Sequence, residues 1–243
     1  MPESLALLAL ALMLVAFLYS TVGHGGASGY IAVMTLFGLG VEIIRPTALA
    51  LNILVALIGS IQWWRAGHFS WALFWPFAVL AVPCAFLGGW LRIPADFLKI
   101  LLGLVLLYSA ARLLFRKSDP GSTRPPRLSV ALASGAGIGF LSGLTGTGGG
   151  IFLTPLLIFM KWAKAREAAA TSSLFILVNS IAGLGGQLGS GSGLPDLTWM
   201  LAAAVAAGGY AGSRLGSRHT PIRGISFLLA IVLLIASGKL LLG

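Results

Sequence analysis

The chain has 243 residues, of which 58% are hydrophobic and only 9% charged, and its mean hydropathy is +0.97. That leaves too little polar surface to cover a soluble core, so the chain reads as an integral membrane protein. Its formal charge of +10 does not mark a nucleic-acid binder, because the basic residues fall in short connections between apolar runs, where they act as topology signals.

The first apolar segment, 5–22, has no Lys or Arg before it, which argues against a cleaved secretory signal. It ends at Gly23-His24-Gly25-Gly26, and a short apolar piece, 27–39, follows. Segments 47–64, 70–91 and 95–115 come next, the second of them holding the single cysteine, Cys84, so no intrachain disulfide is available. The polar connector RKSDPGSTRPPR, 116–127, divides the chain nearly in half. Beyond it, segment 128–145 meets a second break, Gly146-Thr147-Gly148-Gly149-Gly150, followed by another short piece, 149–160. Segments 168–187, 197–213 and 221–242 complete the chain. The pieces 27–39 and 149–160 are too short, at about 1.5 Å per residue, to cross hydrocarbon without tilting or thinning the bilayer.

The halves match. An offset of 123 places Gly23, Gly25 and Gly26 on Gly146, Gly148 and Gly149. An offset of 124 pairs Thr47 with Thr171, Gly59 with Gly183 and Gly88 with Gly212, and an offset of 127 pairs Pro94 with Pro221. Charge then selects a topology. If each glycine-broken segment turns back to the side it entered, 12 of the 16 Lys/Arg fall on the cytoplasmic side, with Arg45, Arg92, Lys99 and Lys239 outside. If each break crosses instead, 7 of 16 do, which is no bias. The expected fold is therefore an all-α integral membrane protein of two inverted repeats, each a glycine-broken hairpin helix plus three transmembrane helices. Residues 1–115 form the first repeat, 116–127 a cytoplasmic linker and 128–243 the second repeat, in a multi-pass protein of the cell (inner) membrane with both termini outside.

A duplicated, interrupted membrane helix points to a transporter site near the bilayer midplane, lining a cavity. Glycine permits positive φ and close backbone approach. A short helix beginning after such a turn offers free N–H groups and the positive end of its dipole, which suits an anion. The alternative is that the glycines merely let helices pack closely. His24 is the titratable side chain within the motifs, with Thr147 opposite it; it is a proton-coupling candidate, or a neutral brace for the turn. Among polar residues inside apolar runs, Gln62, Ser172, Asn179 and Gln187 join Gly23, His24, Gly25, Gly26, Gly146, Thr147, Gly148, Gly149 and Gly150 as candidate substrate-binding residues. Asn52, which has no good counterpart, is left outside that set. Trp63, Trp64, Trp71, Trp75 and Trp162 read as interfacial anchors.

The pair GHGGASGY and GTGGGIFLTP, set in a short duplicated membrane chain, resembles the TauE/SafE (sulfite exporter) family of permeases along essentially the whole length. The second motif is the more typical, with Gly146, Gly148, Gly149, Gly150 and Pro155; the first has Ala27 in place of a third glycine and Ala32 opposite Pro155. The resemblance implies transport of small sulfur-containing anions such as sulfite or organosulfonates, coupled to protons. Transport of another small anion, such as a carboxylate, remains an alternative. An intramembrane enzyme is a weaker one, since Phe140-Leu141 before Ser142-Gly143 breaks the GxSG spacing and His219 lies in a charged loop. Scattered histidines and one cysteine offer no metal-ligand spacing, and no cofactor is expected. No P-loop is present, so an ion gradient or plain facilitation would drive transport. The expected partners are a small anion and the lipid bilayer, with a homodimer left open.

Overall fold

In hydrocarbon, a spanning backbone must satisfy its N–H and C=O groups within its own segment, so each apolar run is driven to close as a helix. The computed structural model describes residues 2–114, 122–218 and 223–242, and these form ten α-helices and no strand. They are α1 (Pro2–Ser20), α2 (Ala27–Leu36), α3 (Val41–Arg65), α4 (Trp71–Trp90), α5 (Ala95–Leu114), α6 (Leu128–Thr145), α7 (Gly150–Phe159), α8 (Ala165–Gly189), α9 (Leu197–Arg218) and α10 (Arg223–Leu242). Residues 116–121 of the connector, His219 and Pro221 lie outside the described residues. Five helices are long and apolar enough to cross a membrane: α1, α3, α4, α6 and α8. The two short helices, α2 and α7, have ten residues each, about 15 Å or half of a hydrocarbon core.

The helix order is the same on both sides of the connector. Long α1, short α2 and 25-residue α3 correspond to long α6, short α7 and 25-residue α8. Both short helices start at a glycine in the left-handed region, Gly26 at φ 104° and Gly149 at φ 82°. A side chain with a Cβ strains there, so the chain leaves one helix and starts the next at glycine. After the first turn the chain doubles back, because Gly29 of α2 packs against Val15 and Tyr19 of α1.

Packing is exchanged between the halves. Gly135, Gly139 and Gly143 of α6 lie on the carbonyls of Phe77, Ala81 and Ala85 of α4, a parallel register. Gly208, Gly212 and Gly216 of α9 lie likewise on the carbonyls of Met13 and Phe17 of α1 and of Thr21 just beyond its end. No Cβ fits at these glycines, and close backbone approach is what drives helix association in lipid. At the centre α3 and α8 cross antiparallel. Leu49 meets Gly183, Asn52 bonds Ser180 at 3.0 Å, and Gly59 meets Ser173. One apolar core fills the space among α1, α2, α3, α5, α9 and α10, with Leu12, Ile31, Met34, Leu102 and Leu106 fully buried. A second joins α4, α6, α7 and α8 around Phe77, Leu153 and Phe175.

Two sequence expectations need revision. Trp64, Trp71 and Trp75 are exposed, at 50%, 57% and 46%, as anchors should be, but Trp63 and Trp162 are buried. Trp162 packs on Phe77 of α4, and Trp63 packs with Ala169 and Ala170 of α8, so tertiary contacts absorb both rings. Arg45, read as an external loop charge, is in fact a helical residue of α3 at 8% exposure. The helix begins at Val41, nearly two turns before the apolar run that marked it in the sequence, and carries Arg45 into the protein.

Candidate functional site

The first break runs from Thr21 to Gly26, with Gly23 at φ 75°. Its unwound carbonyls are satisfied by side chains brought from elsewhere. Tyr30 Oη donates to Gly25 O at 2.7 Å, and Ser173 Oγ of α8 donates to Gly23 O at 2.9 Å. Those bonds are why irregular backbone is tolerated in this buried setting. His24 Nδ1 lies 3.2 Å from Val22 O, and its ring meets Tyr19 edge-on, so it braces the turn while staying half-buried.

The second break runs from Gly146 to Gly149, with Gly146, Gly148 and Gly149 all in the left-handed region. Thr145 and Thr147 hydroxyls share a bond of 2.9 Å, and Thr154 Oγ1 of α7 donates to Ser172 Oγ of α8 at 2.7 Å. The buried oxygens of Ser142 and Thr171 have no partner among the described residues.

The two breaks meet. A Cβ at Gly25 or at Gly148 would run into the Asn52 carboxamide, one from each break, and one at Gly25, Gly148 or Gly150 would strike Ile176. His24, from the first break, sits beside Gly150, the first residue of α7. Asn52 is the twelfth of 25 residues in α3 and Ile176 the twelfth of 25 in α8, so the meeting point is at the midpoint of both central helices. Asn52 is fully buried; its Nδ2 donates to Ser180 Oγ and its Oδ1 has no partner among the described residues. Carboxamide O and N are assigned from the surrounding bonds. Turned over, Asn52 would accept from the Ser180 hydroxyl and aim Nδ2 at Gly25. The expected space between the breaks is filled here by Asn52 and Ile176; a surface hollow of about 410 Å³ lies elsewhere, at Trp90, Arg92, Gly189 and Ser190.

The structure thus brings Gly25, Gly148, Gly150 and His24 to one point. Gly23 and Gly146 form a layer beside it, packed on Ala169 and Arg45, while Gly26 packs on Tyr30 and Gly149 on Phe175. Thr147 and Ser172 sit in the buried polar layer of the second break. Asn179 is buried next to Ser180 but bonds its own helix at Phe175 O, leaving Oδ1 unpartnered among the described residues. Gln62 and Gln187 are not brought to that point. Gln62 lies ten residues, about 15 Å, along α3 from Asn52 and donates to Tyr210 O. Gln187 is buried near the end of α8 with Oε1 unpartnered among the described residues. The sequence reading omitted Asn52, Ser180, Tyr30 and Arg45. A polar Asn in mid-helix was a visible signal, but nothing in the sequence shows that it faces both breaks.

A family model, Sulfite exporter TauE/SafE, matches residues 8–240. The chain belongs to the TauE/SafE family. The probable membrane transporter protein y4hK of Sinorhizobium fredii is 44% identical over 240 residues, covering 96% of this chain and 97% of its own. The probable membrane transporter protein YjnA of Bacillus subtilis is 27% identical, covering 94% and 96%. The probable membrane transporter protein MJ0441 of Methanocaldococcus jannaschii is 30% identical, covering 74% and 71%. No solved structure matches the chain. As a TauE/SafE protein with several apolar spanning helices, it is a multi-pass membrane protein of a transporter family.

Proposed function

We propose that this TauE/SafE protein is a proton-coupled secondary transporter of small sulfur-containing anions such as sulfite or organosulfonates. The observation that carries the reading is the convergence of both glycine breaks on Asn52, at the midpoint of α3 and α8. Two helices, α2 and α7, begin at those breaks, and a first helical turn leaves N–H groups without an i−4 acceptor, although Phe152 N–H of α7 donates to Gly149 O at 3.0 Å. Both positive dipole ends are thus directed at one region, which favours an oxyanion even without a basic side chain in direct contact with it. Cation transport would want buried carboxylates. Among the described residues, Glu3, Glu42, Asp96 and Asp196 are exposed and Glu167 is half-buried at the start of α8.

The antiparallel crossing of α3 and α8, and the exchanged pairs α4–α6 and α1–α9, support two inverted repeats, 1–115 and 128–243, joined by a cytoplasmic linker at 116–127. Rocking one repeat against the other would move Asn52 and Ile176 apart and open the breaks to one side at a time. His24, half-buried and next to Gly150, would take up the coupled proton as the anion enters.

The test is uptake of radiolabelled sulfite into proteoliposomes with and without an imposed pH gradient, competed by thiosulfate, taurine, sulfoacetate and sulfate. Saturable uptake that responds to the gradient is expected. Uptake that ignores the gradient removes proton coupling, and no uptake of sulfite with saturable uptake of succinate would shift the substrate class to carboxylates.

A further inference from the structure

Arg45 is the one buried ionisable side chain of a charged type among the described residues, at 8% exposure. Its setting explains how a cation is held there. Nη2 donates to Gly88 O at 2.9 Å, Gly89 O at 3.4 Å and Gly143 O at 2.8 Å. These carbonyls belong to the last turns of α4 and α6, whose in-helix donors have run out. In the other half α9 needs no such cap. Counted from the matched pair Gly88 and Gly212, α4 stops two residues on at Trp90, while α9 continues six residues on to Arg218 and supplies its own donors. The equivalent of Arg45 under the same repeat is Ala169: Gly146 packs on Arg45 as Gly23 packs on Ala169.

Capping accounts for one nitrogen and not for the charge. Arg45 Nε is buried without a partner among the described residues, and the one ion pair among them is Lys99–Asp96 at the surface. Carbonyl ends hold the cation locally, but a helix-end field fades within its last turn. The guanidinium charge reaches further. Arg45 and Asn52 are seven residues apart on α3, hence on one face and about 10 Å apart along it. Arg45 also lies under the backbone of the second break, with its Cγ and carbonyl against Gly146.

We infer that Arg45 is the fixed charge that sets anion selectivity at the convergence of the two breaks, making the second half-site the stronger anion binder. The inference rests on the anion-transport reading above and names a residue that acts on the ligand by its field. A unit charge acting over ~10 Å, the order of the spacing of the two residues along α3, at an effective dielectric near 20 changes affinity by roughly tenfold for each unit of ligand charge. The signature is therefore dependence on ligand valence, which a purely architectural cap would not produce.

The experiment measures binding of methanesulfonate, a monoanion, and thiosulfate, a dianion, to purified full-length wild type, R45M and R45K. R45M is expected to weaken methanesulfonate about tenfold and thiosulfate about a hundredfold, with R45K close to wild type near neutral pH. A folded R45M that weakens both ligands equally, or neither, overturns the role of Arg45 and leaves anion transport standing. A wild type that binds neither ligand, nor sulfite, nor succinate overturns both. Should R45M fail to fold, R45K carries the test between about pH 8 and pH 10, above the range in which His24 changes charge. A buried lysine loses its proton more readily than a buried arginine, so thiosulfate binding to R45K should fall with pH more steeply than that of wild type. Parallel profiles for R45K and wild type would also overturn it.

Discussion

Asn52 carries a carboxamide to the place where the two glycine breaks meet. It is fully buried between Gly25 and Gly148, bonds Ser180, and has an oxygen with no partner among the described residues. Hydrogen bonds between membrane helices average about 0.6 kcal/mol, so N52L should leave the folded population nearly unchanged. A hydrogen bond to a charged ligand contributes about 1.5–3 kcal/mol, so the same variant should raise the KM for sulfite roughly ten- to hundredfold in proteoliposomes. Wild-type KM in N52L would place the carboxamide in architecture alone. His24 lies in the same layer and serves two geometric roles, bracing Val22 O and touching the start of α7. H24Q keeps a polar side chain without the titration. It is expected to fold, to transport, and to show a flat pH profile between about pH 5.5 and 8, where wild-type uptake varies. A profile unchanged from wild type would remove His24 from coupling.

At the scale of elements, the glycine registers decide which helices touch. Gly139 of α6 faces the backbone of Ala81 in α4, so an added methyl has no flexible side chain to displace. G139A should destabilise the protein by about 1–3 kcal/mol, read as a lower melting temperature in detergent. G137A, two residues away where nothing lies within 4 Å, should melt like wild type or slightly above it. Equal effects at the two positions would contradict the registered α4–α6 contact. Helix identity itself was readable from apolar runs, and the two short pieces came out as α2 and α7 within a few residues of expectation. Their starts at Gly26 and Gly149 were readable too, because positive φ restricts which residues stand there. The start of α3 was not: Glu42 and Arg45 look like loop charges until the helix is seen to take them in.

For the whole molecule, the central question is orientation. Single cysteines at Ser4 and Ser122, in a Cys84→Ser background, test the inverted-repeat topology with a membrane-impermeant maleimide. S4C is expected to react on intact cells and S122C only after permeabilisation, because the hairpin topology places most Lys/Arg inside. Labelling of both from the same side would exclude the arrangement. Gln62 and Gln187 show the limit of symmetry arguments at this scale. They align between the halves to within one residue when a gap after Gly59 is allowed, yet neither is brought to the point where the breaks meet.

Composition alone determined that this chain lives in a bilayer, because its few polar groups could not cover a core. The paired glycine motifs determined where the helices break and which family the chain resembles, since backbone conformation is local and is written in residue type. Which side chains surround the breaks was decided by tertiary structure. Asn52, Ser180 and Ile176 come from two helices over 100 residues apart in sequence, and their antiparallel crossing sets which of them face the glycines. The place of Arg45 was decided there as well. A charge is kept inside where two helix ends, α4 and α6, present carbonyls to it, and that juxtaposition exists only once the helices have packed.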